Sequence, residues 1–152
     1  PSLGVGPIEV PEYLNRESMV YNRAGNTLKV ANVDLWAEPL SDGVQRVLVL
    51  NLAGLLNTQD VQYFPWHPKR APQYAVKVNV LQLEAVSEHV QLTAEWLVYR
   101  PSTSEPVQRQ ISKVQSALAA GTVPAEQVAA SYSDVLYQLS EIIAAAITAD
   151  QR

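Results

Sequence analysis

Cysteine is absent from the 152 residues, and histidine occurs only at His67 and His89. Without cysteine the chain forms no disulfide, no thiolate nucleophile and no cysteine-bound metal centre, and its redox compartment stays undetermined. No apolar run approaches the roughly 20 residues that a membrane-spanning helix requires. Lysine and arginine number 11 against 15 aspartates and glutamates, for a net charge of −4. This balance gives no general basic field for a phosphate backbone, so we expect no nucleic-acid partner.

Recognisable catalytic and cofactor motifs are also missing. Gly4-Val5-Gly6 is followed by Pro7-Ile8-Glu9, without the third glycine or the helix start of a phosphate-binding loop. The nucleophile elbow, the paired-histidine zinc motif and the acidic calcium loop do not occur. The chemistry that remains would depend on two histidines and on carboxylates.

His67 lies between Trp66 and Pro68 in a predicted loop, and His89 lies at a predicted turn. Glu88 precedes His89, but neither histidine lies in a group of acids typical of a catalytic or metal site, so we interpret both as ordinary surface or loop histidines. Three carboxylates near one predicted hairpin form either a paired acid site or, as we favour, a solvated strand edge; they are Glu84, Glu88 and Glu95. We therefore expect no enzyme activity, no cofactor and no metal site.

The composition that is present, 47% hydrophobic and 17% charged, is typical of a globular protein, and the length fits one domain over residues 1–152. A hairpin is predicted around Gly25-Asn26, because a short polar loop separates two β-prone runs there. Residues 7–14 are predicted as a short strand or an extended arm, broken by Pro11. The further predicted strands are 19–21, 27–33, 61–66, 73–86, 89–100 and 107–114. The last is ambiguous, because Ile111, Val114 and Leu118 also fit a helix; we favour the strand.

The longest predicted strand changes its side-chain alternation. Tyr74, Val76, Val78 and Val80 share one face, but the apolar parity then passes to Leu81 and Leu83. Such a change indicates a β-bulge or a strand end covered on both faces.

Two helices are predicted, over residues 42–57 and from Pro124 towards the end of the chain. The first is apolar nearly all round, so it is covered on more than one side. Coverage by the sheet and the other helix is favoured over a subunit contact. The second has a clear 3.6-residue apolar stripe and an acidic outer surface. The order of elements predicts an α+β (mixed α/β) domain of two layers, with a mainly antiparallel sheet covered by two helices.

Aromatic residues next to prolines recur outside the helices, as in Trp36-Ala37-Glu38-Pro39-Leu40 and Phe64-Pro65-Trp66-His67-Pro68. Such tracts either pack the ends of the sheet or form an exposed docking surface, since Trp and Tyr often anchor interfaces. For each single tract, packing is favoured.

The same tracts resemble a known family. The segments 6–16, 26–31 and 36–40, the helix 47–56 and the later Pro65-Trp66 are similar to the ABC-type transport auxiliary lipoproteins, the PqiC-like intermembrane transport lipoproteins. The resemblance covers nearly the whole chain, and its first half is the more specific. The family has no assigned catalytic residues to carry over. The matching positions are therefore candidates for structure or protein contact: Pro11, Tyr13, Leu14, Arg16, Trp36, Pro39, Leu40, Pro65 and Trp66.

The resemblance implies a periplasmic lipoprotein with a signal peptide and an acylated cysteine upstream of Pro1. It implies anchoring to the inner leaflet of the outer membrane and a role in a transport system whose periplasmic subunits carry MCE (mammalian cell entry) domains. An adaptor or collar that binds an MCE subunit and self-associates as a homo-oligomer is the first hypothesis. A lipid-binding carrier and a lipoprotein regulator of cell-wall synthesis are the alternatives, and an enzyme is the weakest.

Overall fold

A computed structural model describes residues 1–12, 20–23, 26–29, 40–86, 88–118 and 125–152. Its strands are β1 (Leu3–Glu9), β2 (Val20–Arg23), β3 (Asn26–Lys29), β4 (Val61–Tyr63), β5 (Tyr74–Val86), β6 (His89–Arg100) and β7 (Glu105–Ala117). Its helices are α1 (Leu40–Leu55) and α2 (Ala125–Asp150), with one 3₁₀ turn at Pro68–Arg70. The ambiguous segment after residue 107 is thus a strand, as predicted.

The seven strands form one mixed sheet. Its main run is β4-β1-β5-β6-β7, and the hairpin of β2 and β3 joins β5 beyond the end of β1. The pairs β5–β6, β6–β7 and β2–β3 are antiparallel, whereas β1 runs parallel to both β4 and β5 and β2 runs parallel to β5. The two longest ladders, β5–β6 and β6–β7, are antiparallel. The predicted α+β fold class is confirmed, and the parallel position of β1 is the feature that the sequence pattern did not indicate.

The predicted bulge in β5 is confirmed. The register against β6 shifts between Val80 and Gln82, so Leu81 is the extra residue. Leu81 is 44% exposed, while Val80 and Leu83 on either side of it are buried. Because Leu81 is left out of the pairing, the apolar residues before it and after it can face the same side of the sheet.

One face of the sheet packs against both helices. Trp96 at the centre of β6 is 1% exposed, and its indole N–H donates to Ser112 Oγ on β7 at 2.9 Å. Burying an aromatic ring of this size is favourable when its single polar group has a partner. The core that surrounds it comes from β1, β5, β6, α1 and α2.

The nearly all-apolar helix α1 is covered from within the chain, as favoured from the sequence. Leu48 and Leu52 are fully buried, and α1 contacts β1, β4 and α2. A polar link also joins the helices, because Asn51 Nδ2 donates to Ser140 Oγ at 3.2 Å. Leu50 remains on the outside, 63% exposed.

The first strand lies earlier than predicted, at Leu3–Glu9 rather than at 7–14. Leu3 and Val5 belong to the core on the helix side. On the other face, a Cβ at Gly4 would lie 2.8 Å from both Trp66 Cη2 and Pro72 Cγ. Because both faces of β1 are covered, its sequence shows no alternation of apolar and polar residues.

Candidate protein-contact surface

Aromatic side chains are concentrated where β4 ends. Tyr63 is 47% exposed and Phe64 is 43% exposed, although both are large and apolar. The Phe64 ring meets the Trp66 ring edge to face, with centroids 5.4 Å apart and planes at 87°. We call Tyr63, Phe64, Pro65 and Trp66 the aromatic edge.

The aromatic edge is fixed to the sheet by backbone approach as much as by side chains. Phe64 N–H donates to Val5 O at 2.9 Å, which continues the ladder past the end of β4. Gly6 has φ +121°, and a Cβ there would lie 2.7 Å from Phe64 Cβ and 2.6 Å from Gln45 Nε2. That Gln45 amide donates to Val5 O at 2.8 Å. Glycine is needed at positions 4 and 6 because the tract lies directly on the β1 backbone.

His67 has a local structural role. Its Nδ1 accepts a hydrogen bond from Lys69 N–H at 3.0 Å and thereby caps the 3₁₀ turn. His89 lies in β6, with Nε2 3.4 Å from Gln91 Oε1. Within the described ranges no three histidine, aspartate or glutamate side chains are grouped in a way that would hold a metal ion.

Two of the three carboxylates near the β5–β6 hairpin, Glu84 and Glu95, lie far apart along the ladder. Glu84 pairs with Gln91 and accepts from Gln82 Nε2 at 2.5 Å, while Glu95 pairs with Asn79 further along the ladder. Gln91 and Glu95 are four residues apart, which is roughly 13 Å along a strand. Carboxylates at that separation do not share a proton, so Glu84 and Glu95 do not form a paired acid site.

The face of the sheet turned away from α1 and α2 carries a shallow open depression of about 170 Å³. Pro7 and Leu97 line it together with charged side chains of both signs, Glu9, Lys77, Glu95 and Arg109. Lys77 Nζ also lies 5.0 Å from the centre of the Tyr99 ring. We call this side of the sheet the outer face.

A cluster of charged and phenolic groups holds the end of α2. Tyr74 O–H donates to Asp150 Oδ2 at 2.7 Å, and Arg100 Nη2 forms an ion pair with the same oxygen. The hydrogen bond to Asp150 raises the pKa of Tyr74, as do burial and the charge of Asp150, while Arg100 acts in the opposite direction. The last turn of α2 has no basic residue of its own, so Arg100 supplies the cation that a helix C-terminus favours.

Residues 1–144 match the family model described as the ABC-type transport auxiliary lipoprotein component. The match takes in β1 to β7 and most of α2. The chain belongs to this family. The curated proteins contain no sequence match to it.

Solved structures share the fold of this family member. Protein XCC0632 from Xanthomonas campestris has a TM-score of 0.73 at 15% identity, over 99% of this chain and 86% of its own. A crystal structure of an uncharacterized protein has a TM-score of 0.70 at 23% identity, over 96% and 92%. The hypothetical protein CT253 from Chlamydia trachomatis has a TM-score of 0.51 at 9% identity, over 91% and 95%. At these identities the likeness extends to the fold.

The contact candidates that the family resemblance supplied fall into three groups. Pro65 is exposed and Trp66 is half-buried, both in the aromatic edge, and Pro11 is half-buried just after β1. Leu40 is 4% exposed and packs in the core as the first residue of α1. The remaining candidates lie outside the described residues: Tyr13, Leu14, Arg16, Trp36 and Pro39.

Sequence reasoning left two exposed aromatic residues of this auxiliary lipoprotein out of its candidates. Tyr63 and Phe64 directly precede the Pro65-Trp66 pair and are more exposed than Trp66. Their signal was available, since the tract Phe64-Pro65-Trp66 was already noticed. In the described part of the chain, no helix is both long enough and apolar enough to cross a membrane.

Proposed function

We propose that this protein is a non-enzymatic part of an MCE and ABC-type intermembrane lipid transport system. As one periplasmic domain, held to the inner leaflet of the outer membrane by an N-terminal lipid, it serves as an adaptor or collar. It binds the periplasmic MCE subunit and assembles with further copies of itself. The family of transport auxiliary lipoproteins, matched over residues 1–144, is the basis for this proposal.

The aromatic edge is the observation that carries the contact role. Tyr63 and Phe64 leave nearly half of their surface in water, although burial of such rings stabilises a fold. Aromatic rings held rigidly at a surface lose little conformational freedom on binding, which is why they often contribute most to an interface. We therefore place the MCE contact at the aromatic edge.

The two histidines support a role without catalysis. His67 Nδ1 accepts from the Lys69 amide, and His89 Nε2 lies 3.4 Å from the side-chain oxygen of Gln91. Neither has the base–orienter pair that activates a nucleophile. The contacts of both are those of residues that shape a surface.

Capture of purified MCE-domain subunits by the lipid-anchored protein tests the proposal. We expect Phe64→Ala to weaken capture about tenfold or more, as at an interface hot spot. Tyr137→Ala is the matched control, because Tyr137 is 42% exposed and lies on α2. Trp36→Ala and Tyr13→Ala extend the test to the other tracts.

Equal capture by the native protein and by folded Phe64→Ala would remove the aromatic edge from the contact. Failure of the native protein to capture any MCE subunit would reject the adaptor role itself.

A further inference from the structure

The far edge of the sheet is formed by β7, and among the described strands β7 pairs with β6 alone. From Gln108 to Ala117 the pairing with β6 is in regular register. In a regular antiparallel strand, the N–H and C=O of alternate residues point to the same side. One alternate set of β7 backbone groups is therefore directed away from the sheet.

Three hydrogen bonds identify that set. Leu118 N–H donates to Glu88 O at 2.7 Å, so the even-numbered residues are directed towards β6. Ala117 O accepts from Ser131 Oγ at 3.1 Å, and Gln115 O accepts from Gln138 Nε2 at 2.8 Å, both from α2. The odd-numbered residues are thus directed towards the free edge.

Among the described residues, the free edge of β7 is blocked over one half and open over the other. Side chains of α2 cover the carbonyls of Gln115 and Ala117. The helix then crosses the sheet and ends beside Tyr74 and Arg100. Its described side chains donate no hydrogen bond to the backbone of Arg109, Ile111 or Lys113. We call these three residues the open edge.

Side chains of the open edge lie on the outer face. The even-numbered residues face the helices, since Ser112 Oγ accepts from the buried Trp96 and Val114 packs against the core. Ile111 is 63% exposed, and Arg109 and Lys113 on either side of it are exposed. Glu95 is the β6 neighbour of Ile111, but in the described structure it forms no ion pair with either cation. A partner therefore meets a row of cation, apolar side chain and cation.

These charges oppose pairing between two copies of β7. A two-fold pair centred on Ile111 would place Arg109 of each copy opposite Lys113 of the other. Like charges directly opposite each other destabilise a strand pair. In this register the open edge thus disfavours its own copy but not a strand of complementary charge.

We propose that the open edge of β7 binds an extended segment of a partner protein, which adds to the sheet as a further strand. The segment has the pattern acidic–x–apolar–x–acidic, so that carboxylates meet Arg109 and Lys113 and an apolar side chain meets Ile111. Its backbone bonds to the N–H and C=O groups of the three open-edge residues. The pattern reads the same in both directions and therefore fits either strand orientation.

This inference is independent of the proposed MCE contact, because β4 and β7 lie at opposite edges of the main run of the sheet. Loss of either contact leaves the other to be tested separately.

Fluorescence anisotropy at low ionic strength tests the pattern, with a labelled peptide centred on Glu-Thr-Val-Thr-Glu as probe and Lys-Thr-Val-Thr-Lys as its counterpart. We expect the intact protein to prefer the acidic peptide. Arg109→Glu combined with Lys113→Glu is expected to weaken binding of the acidic peptide about tenfold or more and to favour the basic one. Equal binding of both peptides, or no binding of the acidic one, would overturn the proposal.

Hydrogen exchange tests the backbone geometry. With bound acidic peptide, the amides of Arg109, Ile111 and Lys113 should exchange more slowly, while those of Gln110 and Ser112, already bonded to β6, should not change. Ile111→Pro removes one outward N–H and is expected to weaken binding about fivefold, whereas Ile111→Val keeps it. Unchanged exchange at all three open-edge amides would contradict strand addition.

Discussion

The two edges of the main sheet are terminated in different ways. At β4 the strand is only three residues long, and a cis Phe64-Pro65 bond and a capped 3₁₀ turn follow it. At β7 the strand is 13 residues long, and its protection comes from α2 side chains over one half and from like charges over the other. Short strands, prolines and charges are all known ways of preventing edge-to-edge aggregation. The comparison shows that β4 is ended by its short length and the prolines that follow it, whereas β7 is the long edge strand for which we propose pairing with a partner.

The largest effect is expected where the β4 edge rests on β1. In Gly4→Val, the added side chain would collide with Trp66 and Pro72, and we expect a loss of about 3 kcal/mol or more in unfolding free energy. Gly54→Ala is the control, because nothing lies within 4 Å of a Cβ there, and it is expected to stabilise α1 by up to about 1 kcal/mol. Urea denaturation measures both. A Gly4→Val protein as stable as the native one would show that Trp66 and Pro72 do not pack tightly against β1 at this position.

An intermediate effect is expected at the end of α2, which is held to β5 and β6. Tyr74→Phe removes the hydrogen bond to Asp150 and should cost about 1–2 kcal/mol at neutral pH. Because the folded state raises the pKa of Tyr74 above 10.0, this contribution is complete below pH 10 and is lost as the pH rises through the folded value.

The pH dependence of Tyr74→Phe should therefore be flatter than that of the native protein above pH 10, as followed by thermal unfolding. Burial also raises the pKa of Tyr99. Tyr99→Phe therefore measures the part of the stability loss above pH 10 that comes from Tyr99. If the stability of Tyr74→Phe and that of the native protein fell in parallel above pH 10, the hydrogen bond from Tyr74 to Asp150 would not contribute to the pH dependence.

The smallest effect on stability is expected at the blocked half of β7. Ser131→Ala with Gln138→Ala should cost about 1 kcal/mol, because the two bonds to Ala117 O and Gln115 O are lost in part-exposed surroundings. The same variant lengthens the open edge, so self-association should increase, as analytical ultracentrifugation measures. Gln127→Ala, at an exposed position of α2, is the control. A double variant that associates no more strongly than the native protein at high concentration would show that these side chains do not guard the edge.

Much of the fold was predictable where side chains alternate in register with one buried face. The bulge at Leu81 and the strand nature of β7 followed from local parity, and both are confirmed. The position of β1 was missed, because Gly4, Gly6 and Pro7 disfavour a strand by propensity. Coverage by Trp66 and Pro72 from a distant part of the chain, which makes the strand stable there, leaves no local pattern.

The surfaces were predictable only in part. The tract around Trp66 was identified by its composition. Its packing against β1 depends on Gly4 and Gly6, which are distant in sequence. The alternation of Arg109, Ile111 and Lys113 with polar residues was visible, yet nothing local states that β7 is the last strand of the sheet. Edge position is a property of the whole topology, and so is access to the backbone.

The parallel place of β1 has a consequence for the order of folding. β5, β6 and β7 are joined by short turns, so their contacts form with little loss of chain entropy. β1 comes from the start of the chain and finds its partners in β4 and β5 only after long loops have closed. We therefore expect the meander to form early and β1 to enter late. Since Trp66 rests on Gly4, the aromatic edge exists only in chains that have completed this last step, and a partner that binds it selects fully folded molecules.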